Sequence, residues 1–86
     1  MEGGWTVYIL RCADGTYYSG VTTNITRRLQ EHNSATLGAK YTRSRQPVSV
    51  VYQESCASRS DAQVREAAIK SLTRGKKDAL IRTQTS

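Results

Sequence analysis

Arg28 and His32 stand four residues apart, and His32 is the only histidine in the chain. On a helix that spacing sets the two side chains next to each other. An arginine beside the core stripe and next to the only histidine is a candidate anion site. The same pattern also describes an arginine that lays its stem over a core edge and keeps its head in water. Pattern alone favours that second reading for Arg28. Glu66 is a single carboxylate of the kind that binds Mg²⁺ with waters completing the octahedron. It also stands four residues before Lys70, and pattern alone assigns it to a surface ion pair.

The five tyrosines are Tyr8, Tyr17, Tyr18, Tyr41 and Tyr52. Tyrosine is common in strands, and Tyr17 and Tyr52 read as structural. Lys40-Tyr41-Thr42-Arg43-Ser44-Arg45 interleaves cations, hydroxyls and an aromatic ring, a composition that suits contact with a phosphate backbone or simply a solvated loop. Thirteen Lys and Arg against seven Asp and Glu give 86 residues a net charge of +6. That excess, carried by Lys40, Arg43, Arg45 and the segment from Arg74 to Lys77, favours a polyanionic partner through counterion release. A net charge of this size also serves plain solubility. Two cysteines and one histidine exclude a structural zinc site and a disulfide scaffold. No apolar run approaches membrane-spanning length, and the N-terminus lacks the pattern of a secretory leader, so a cytoplasmic protein with reduced thiols and no membrane partner is expected.

The elements that must position these groups follow from periodicity. Trp5 to Cys12 reads as a strand, Ala13-Asp14-Gly15 as a turn and Thr16 to Val21 as a second strand. A two-residue Asp14-Gly15 loop would set Leu10 against Ser19 and Tyr8 against Val21, but a type I turn with Gly15 in the left-handed region is favoured; this three-residue loop sets Leu10 against Tyr18 and Tyr8 against Gly20. Tyr8 and Tyr18 then share one face as diagonal neighbours, and Gly20 leaves space above the sheet. A helix is expected from Asn24, its cap, to about Ser34, with Ile25 and Leu29 inward, Arg28 and His32 on one flank and Arg27 in solvent. Leu37 to Gln46 reads as a basic loop, and Val48 to Glu54 as a third strand. Ser58 and Asp61 start a helix running to about Arg74. Its Ala62, Val64, Ala67, Ala68, Ile69 and Leu72 form a broad apolar arc with Glu66 at the border. Gly75 suits a C-cap, followed by a last short helix from Lys76 to Arg82. The whole is expected to be one α+β domain over residues 1–86, a three-stranded, mostly antiparallel sheet flanked by helices in the order strand-strand-helix-strand-helix-helix.

Tyr8 within Thr6-Val7-Tyr8, Tyr18 within Tyr18-Ser19-Gly20, then Arg28, His32 and Glu66 in that order and spacing, resemble the GIY-YIG nuclease superfamily. The likeness runs from Thr6 to about Leu72 and is strongest to its small stand-alone bacterial members, in V-Y-I-L-R-C-A-D-G, A-K-Y-T-R and L-T-R-x-x-K. Thr6 replaces the first signature's glycine and Ser19 the second's isoleucine. Longer members also carry a late asparagine that has no match here.

The resemblance implies metal-dependent hydrolysis of a phosphodiester in DNA, with structured or branched DNA of repair or recombination as substrate class and RNA as the alternative. It gives Glu66 one Mg²⁺ or Mn²⁺ ion, Arg28 the phosphate oxygens, Tyr8 the role of base and Tyr18 that of its hydrogen-bonding partner, although the two tyrosines could exchange roles. His32 would orient water or shuttle a proton. Lys40, Tyr41, Arg43, Arg45, Arg74 and Lys77 would hold nucleic acid, and the domain would act alone or with a protein partner that supplies substrate choice. The competing reading is a binding domain with a vestigial site, which would need no metal carboxylate.

Overall fold

The structure is a computed structural model that describes residues 4–34 and 39–85. Its elements are strand β1 (Trp5–Arg11), strand β2 (Tyr17–Thr22), helix α1 (Ile25–His32), helix α2 (Lys40–Arg43), strand β3 (Ser49–Cys56), helix α3 (Arg59–Lys70) and helix α4 (Arg74–Thr85). One antiparallel sheet has the order β2-β1-β3. The α+β architecture is therefore the expected one, with a single helical turn, α2, added to it.

The hairpin has the expected three-residue loop. Gly15 adopts φ +85°, the only positive φ among the described residues. Asp14 braces the turn by accepting from the Thr16 amide at 3.1 Å and hydroxyl at 2.6 Å. Leu10 pairs with Tyr18 and Tyr8 with Gly20. β1 is the central strand and is covered on one face by α3 and α4 and on the other by α1, so side-chain alternation divides two cores. Val7 and Ile9 pack with Tyr52, Ala62 and Ile69 beneath α3 and α4. Tyr8, Leu10 and Cys12 pack with Val48 on the opposite face, where Ile25 and Leu29 bring α1 down onto the sheet.

Several expectations need correcting. The stretch expected to be a loop from Leu37 to Gln46 contains α2; its Leu37 and Gly38 lie outside the described residues. The Ala39 carbonyl accepts from the amides of Thr42 at 3.0 Å and Arg43 at 3.1 Å, and no glycine or proline interrupts the turn they close. Helix α3 ends at Lys70 rather than Arg74, with the Ser71 amide turned back onto Ala67 and Ile69. Thr73 then opens α4: its hydroxyl accepts from the Lys76 amide at 3.3 Å and its carbonyl from the Lys77 amide at 2.9 Å. Gly75 therefore sits in the first turn of α4 rather than at a C-cap, and the helix runs on past Arg82 to Thr85. The apolar arc of α3 is narrow. Ala62 and Ile69, seven residues apart, are fully buried, whereas Ala67 and Ala68 are exposed and Val64 is 71% exposed. Those alanines support the helix through their intrinsic propensity and bury little.

Candidate active site

Tyr8 is held where a central strand, a glycine and a helix end meet. Its ring lies across Gly20 on β2, so closely that a β-carbon at Gly20 would stand 2.5 Å from the phenolic oxygen. The space expected above Gly20 is thus filled by Tyr8 itself. At the far side of the hydroxyl, Tyr8 Oη is 3.0 Å from His32 Nε2. Both residues are essentially inaccessible, at 1% and 0% exposure.

Helix α1 reaches this position because both of its ends are fixed. Asn24 accepts from the Arg27 amide at 3.0 Å and caps the first turn. Beyond the last turn, the Asn33 side chain accepts from the Val48 amide at 2.8 Å and donates to the Val48 carbonyl at 3.1 Å, tying the helix end to the approach of β3. Gln46 Nε2 donates to the His32 carbonyl at 2.7 Å and the Ser34 carbonyl at 2.6 Å. On the other ring nitrogen, His32 Nδ1 is 2.9 Å from Thr42 Oγ1. Tyr18 meets the imidazole edge-on at 5.1 Å between ring centres and stacks on Tyr41 at 5.8 Å.

Electrostatics separates the two ends of the Tyr8–His32 pair. Burial pushes the Tyr8 phenol up to about 12, although the Arg28 guanidinium beside it favours the ionised form. Burial pulls His32 down to about 4, with the Arg28 charge acting in the same direction. The ring is therefore neutral at pH 7, and the phenol holds its proton. Arg28 Nη1 donates to Glu31 Oε1 at 2.8 Å, and Glu31 also receives Arg27 at 3.7 Å. Glu66, half-buried on α3, has Oε2 3.1 Å from Lys70 Nζ, and its charge is felt at the Tyr8 phenol.

The sequence-derived residues divide into three groups. Tyr8, Tyr18, Arg28 and His32 come together, with Glu66 acting on the same phenol. Tyr41 and Arg45 form the wall next to Tyr18, and Lys40 and Arg43 share α2 with that wall. Arg45 lies 4.0 Å over the Tyr41 ring, pairs with Asp14 at 3.0 Å and donates to the Tyr41 carbonyl at 2.9 Å. Tyr41 thus contacts both Tyr18 and Arg45 and stays 37% exposed. Arg74 is elsewhere: it lies 4.1 Å over the Tyr17 ring and 3.4 Å from Asp78, and the Tyr17 hydroxyl donates to the same carboxylate. Tyr17 packs against the core opposite Tyr8, so Arg74, and Lys77 on the same helix, belong to the other side of the sheet. Glu31 has no counterpart in the sequence reading, and Thr42 enters it only as one hydroxyl of the Lys40–Arg45 stretch. Only correct placement of a helical turn at Lys40–Arg43 could have brought Thr42 under His32.

Among the described residues no group of three or more His, Cys, Asp or Glu could enclose an ion. A lone half-buried carboxylate suits a different arrangement, in which one protein oxygen, substrate phosphate and waters make up an octahedron. Glu66 fits that donor chemistry.

The family model for the GIY-YIG catalytic domain matches residues 4–78. The chain belongs to the GIY-YIG family. A UPF0213 protein of Desulfotalea psychrophila is 58% identical over 78 residues, 91% of this chain and 71% of its own length. One of Halobacterium salinarum is 53% identical over 74 residues, 86% of this chain and 95% of its own. The solution NMR structure of a UPF0213 protein from Bacillus halodurans superposes with a TM-score of 0.60 at 41% identity, covering 93% of this chain and 84% of that one. A second NMR structure, of a protein from E. faecalis, gives 0.63 at 46% identity and covers 96% and 90%. A GIY-YIG domain implies nuclease-type function and a nucleic-acid substrate, and such nucleases generally use a divalent metal ion. In this GIY-YIG domain no helix among the described residues is long and apolar enough to cross a membrane.

Proposed function

We propose that residues 1–86 are one endonuclease domain that hydrolyses phosphodiester bonds in DNA, with a single Mg²⁺ or Mn²⁺ at Glu66. The observation that carries the reading is the 3.0 Å approach of Tyr8 Oη to His32 Nε2, in a cluster where Arg28 and Glu66 act on the same phenol. A structural tyrosine needs only a partner for its hydroxyl. This one has a neutral base, a cation and a carboxylate around it.

In-line attack by water needs a proton acceptor, a clamp on the phosphate charge and stabilisation of the leaving 3′ oxygen. A bound divalent ion supplies Lewis acidity to the phosphate and the leaving oxygen. Arg28, released from Glu31, pairs with phosphate oxygens through its planar fork. Tyr8 accepts a proton from the attacking water as its own proton moves to His32 Nε2. With Tyr8 near 12 and His32 near 4, the resting proton stays on the phenol, so the transfer belongs to the moment of attack. Tyr18 packs against His32, whose ring meets Tyr8 edge-on at 66° between planes. Lys40 and Arg43, on α2 beside the wall, contact the flanking backbone, and a protein partner is the natural source of substrate choice for so small a domain.

The test is a panel of labelled branched, duplex and single-stranded DNAs plus RNA, incubated with Mg²⁺, Mn²⁺ or chelator. Metal-dependent cleavage of a branched or duplex DNA is expected. Binding without cleavage on every substrate would replace this reading with a binding domain that keeps a vestigial site.

A further inference from the structure

We infer that Thr42 is a positioning residue: its hydroxyl holds the His32 proton on Nδ1, leaving Nε2 as the acceptor that faces Tyr8. The inference rests on the nuclease reading for its catalytic meaning, but the proton assignment follows from geometry alone.

A threonine hydroxyl has one hydrogen and two lone pairs, and a carbonyl oxygen has only lone pairs. Thr42 Oγ1 lies 3.0 Å from the Ala39 carbonyl oxygen, so the hydroxyl hydrogen points there. What the same oxygen offers His32 Nδ1, 2.9 Å away, is therefore a lone pair. Nδ1 must donate, and it carries the ring proton. In a neutral imidazole Nε2 then has the free lone pair, and Tyr8 Oη at 3.0 Å must donate to it. The chain of donors runs one way, from the Tyr8 hydroxyl to His32, from His32 to Thr42, and from Thr42 to the Ala39 carbonyl.

Direction matters because the opposite tautomer makes equally short contacts and performs the opposite task. With the proton on Nε2, His32 would donate to Tyr8 and could take nothing from it. His32 and Thr42 are sealed from water, both at 0% exposure, so no solvent molecule can supply the donor that Nδ1 would then need. No buried side-chain polar atom among the described residues is left without a partner, which the one-way chain requires. The anchor is backbone: the Ala39 carbonyl also accepts from the Thr42 and Arg43 amides, so α2 itself fixes where the Thr42 hydroxyl can point.

Three proteins decide it: wild type, Thr42→Ser, which keeps the hydroxyl, and Thr42→Val, which replaces it with a methyl of similar size. Long-range ¹H–¹⁵N correlation spectra of the His32 ring read the tautomer directly at neutral pH. Wild type and Thr42→Ser are expected to show a protonated Nδ1 and an unprotonated Nε2. Thr42→Val is expected to shift the ring towards the Nε2–H form and to lower metal-dependent cleavage by about 10- to 100-fold, the usual effect of removing an outer group that orients a histidine. Thr42→Ser should restore both. An Nε2–H wild-type spectrum overturns the inference even if Thr42→Val cannot fold. An unchanged tautomer in a folded Thr42→Val protein overturns it as well. If wild type shows Nδ1–H, Thr42→Val shifts it, and no substrate is cleaved, the tautomer assignment stands and the nuclease reading falls.

Discussion

The ring of Tyr8 occupies the volume that a side chain at Gly20 would need, with 2.5 Å between an added β-carbon and the phenolic oxygen. One glycine thereby aims the phenol at His32. Gly20→Ala must push the ring away, because the β2 backbone is fixed in the sheet. It should cost about 1–3 kcal/mol by overpacking and abolish cleavage. Gly15→Ala is the control: nothing lies within 4 Å of its added carbon, but φ is +85°. It should cost about 1–2 kcal/mol through backbone strain and leave the cleavage rate per folded molecule unchanged. Denaturant titration and single-turnover cleavage on both variants separate the two effects.

Tyr8→Phe removes the phenolic oxygen and nothing else. His32 Nε2 then becomes a buried acceptor with no donor, at a cost of about 1–3 kcal/mol. Cleavage should fall at least ~100-fold, the lower end for loss of a positioned proton acceptor, with DNA binding retained. A Tyr8→Phe protein that cleaves at the wild-type rate would hand the base to Tyr18 or remove tyrosine from the chemistry.

Much of this geometry was legible in the residues. Ala13-Asp14-Gly15 set the hairpin register, and the register put Tyr8 and Tyr18 on one face. The four-residue spacing of Arg28 and His32 put both beside the apolar stripe of α1. Turn chemistry and helical period are local, and local rules sufficed. The failures are also physical. Helix α2 is a single turn closed by the Ala39 carbonyl, too short to leave a periodic signal, so the contact of Thr42 with His32 has no trace in the sequence. Gly75 reads as a C-cap, yet Thr73 caps the start of α4 and the glycine keeps a negative φ inside that helix. Arg74 and Lys77 look like Lys40 and Arg43 in composition. Only the sheet shows that the first pair lies on the opposite side from Tyr8.

Stability should depend on pH through His32. Its folded value of about 4 lies below the ordinary 6.5, so between those values the unfolded chain takes up a proton that the folded one refuses. The stabilisation is complete above pH 6.5 and is lost as pH falls towards 4, by up to about 3 kcal/mol. Asp14, Glu31, Glu54 and Asp78, all held below the carboxylate range by donors beside them, add their own loss at lower pH. Between pH 5 and 6.5 the unfolded carboxylates barely titrate, so that window belongs to His32. His32→Gln should flatten it in denaturant melts. Equal slopes for both proteins would mean that the ring is protonated in the folded state.

Glu66→Gln tests the ion without disturbing the fold. The carboxylate pairs with Lys70 across one helical turn, an interaction worth about 0.3–0.5 kcal/mol, so the melting curve should hardly move. Cleavage in Mg²⁺ should drop to background. Binding to DNA in chelator should persist or tighten slightly, because a negative charge has left the neighbourhood of a phosphate. Wild-type cleavage by this variant on every substrate would place the ion elsewhere.

The salt dependence of binding should distinguish two arginines that stand two residues apart. Arg45 is already neutralised by Asp14 and spends its planar face on Tyr41. Arg43, exposed on α2, has no ion pair among the described residues and is free to displace a counterion from the duplex. Each phosphate contact contributes about 0.9 to the slope of log K against log salt. Arg43→Ala should therefore reduce the slope by about one. Arg45→Ala should change it little and instead loosen Tyr41, lowering affinity by a similar factor at every salt concentration. Arg74→Ala, on the far side of the sheet, should alter neither slope nor affinity. Fluorescence anisotropy over a salt series on one duplex measures all three. If Arg45→Ala and Arg74→Ala each reduce the slope as much as Arg43→Ala does, DNA wraps both faces of the sheet. The interface would then not be confined to the α2 side.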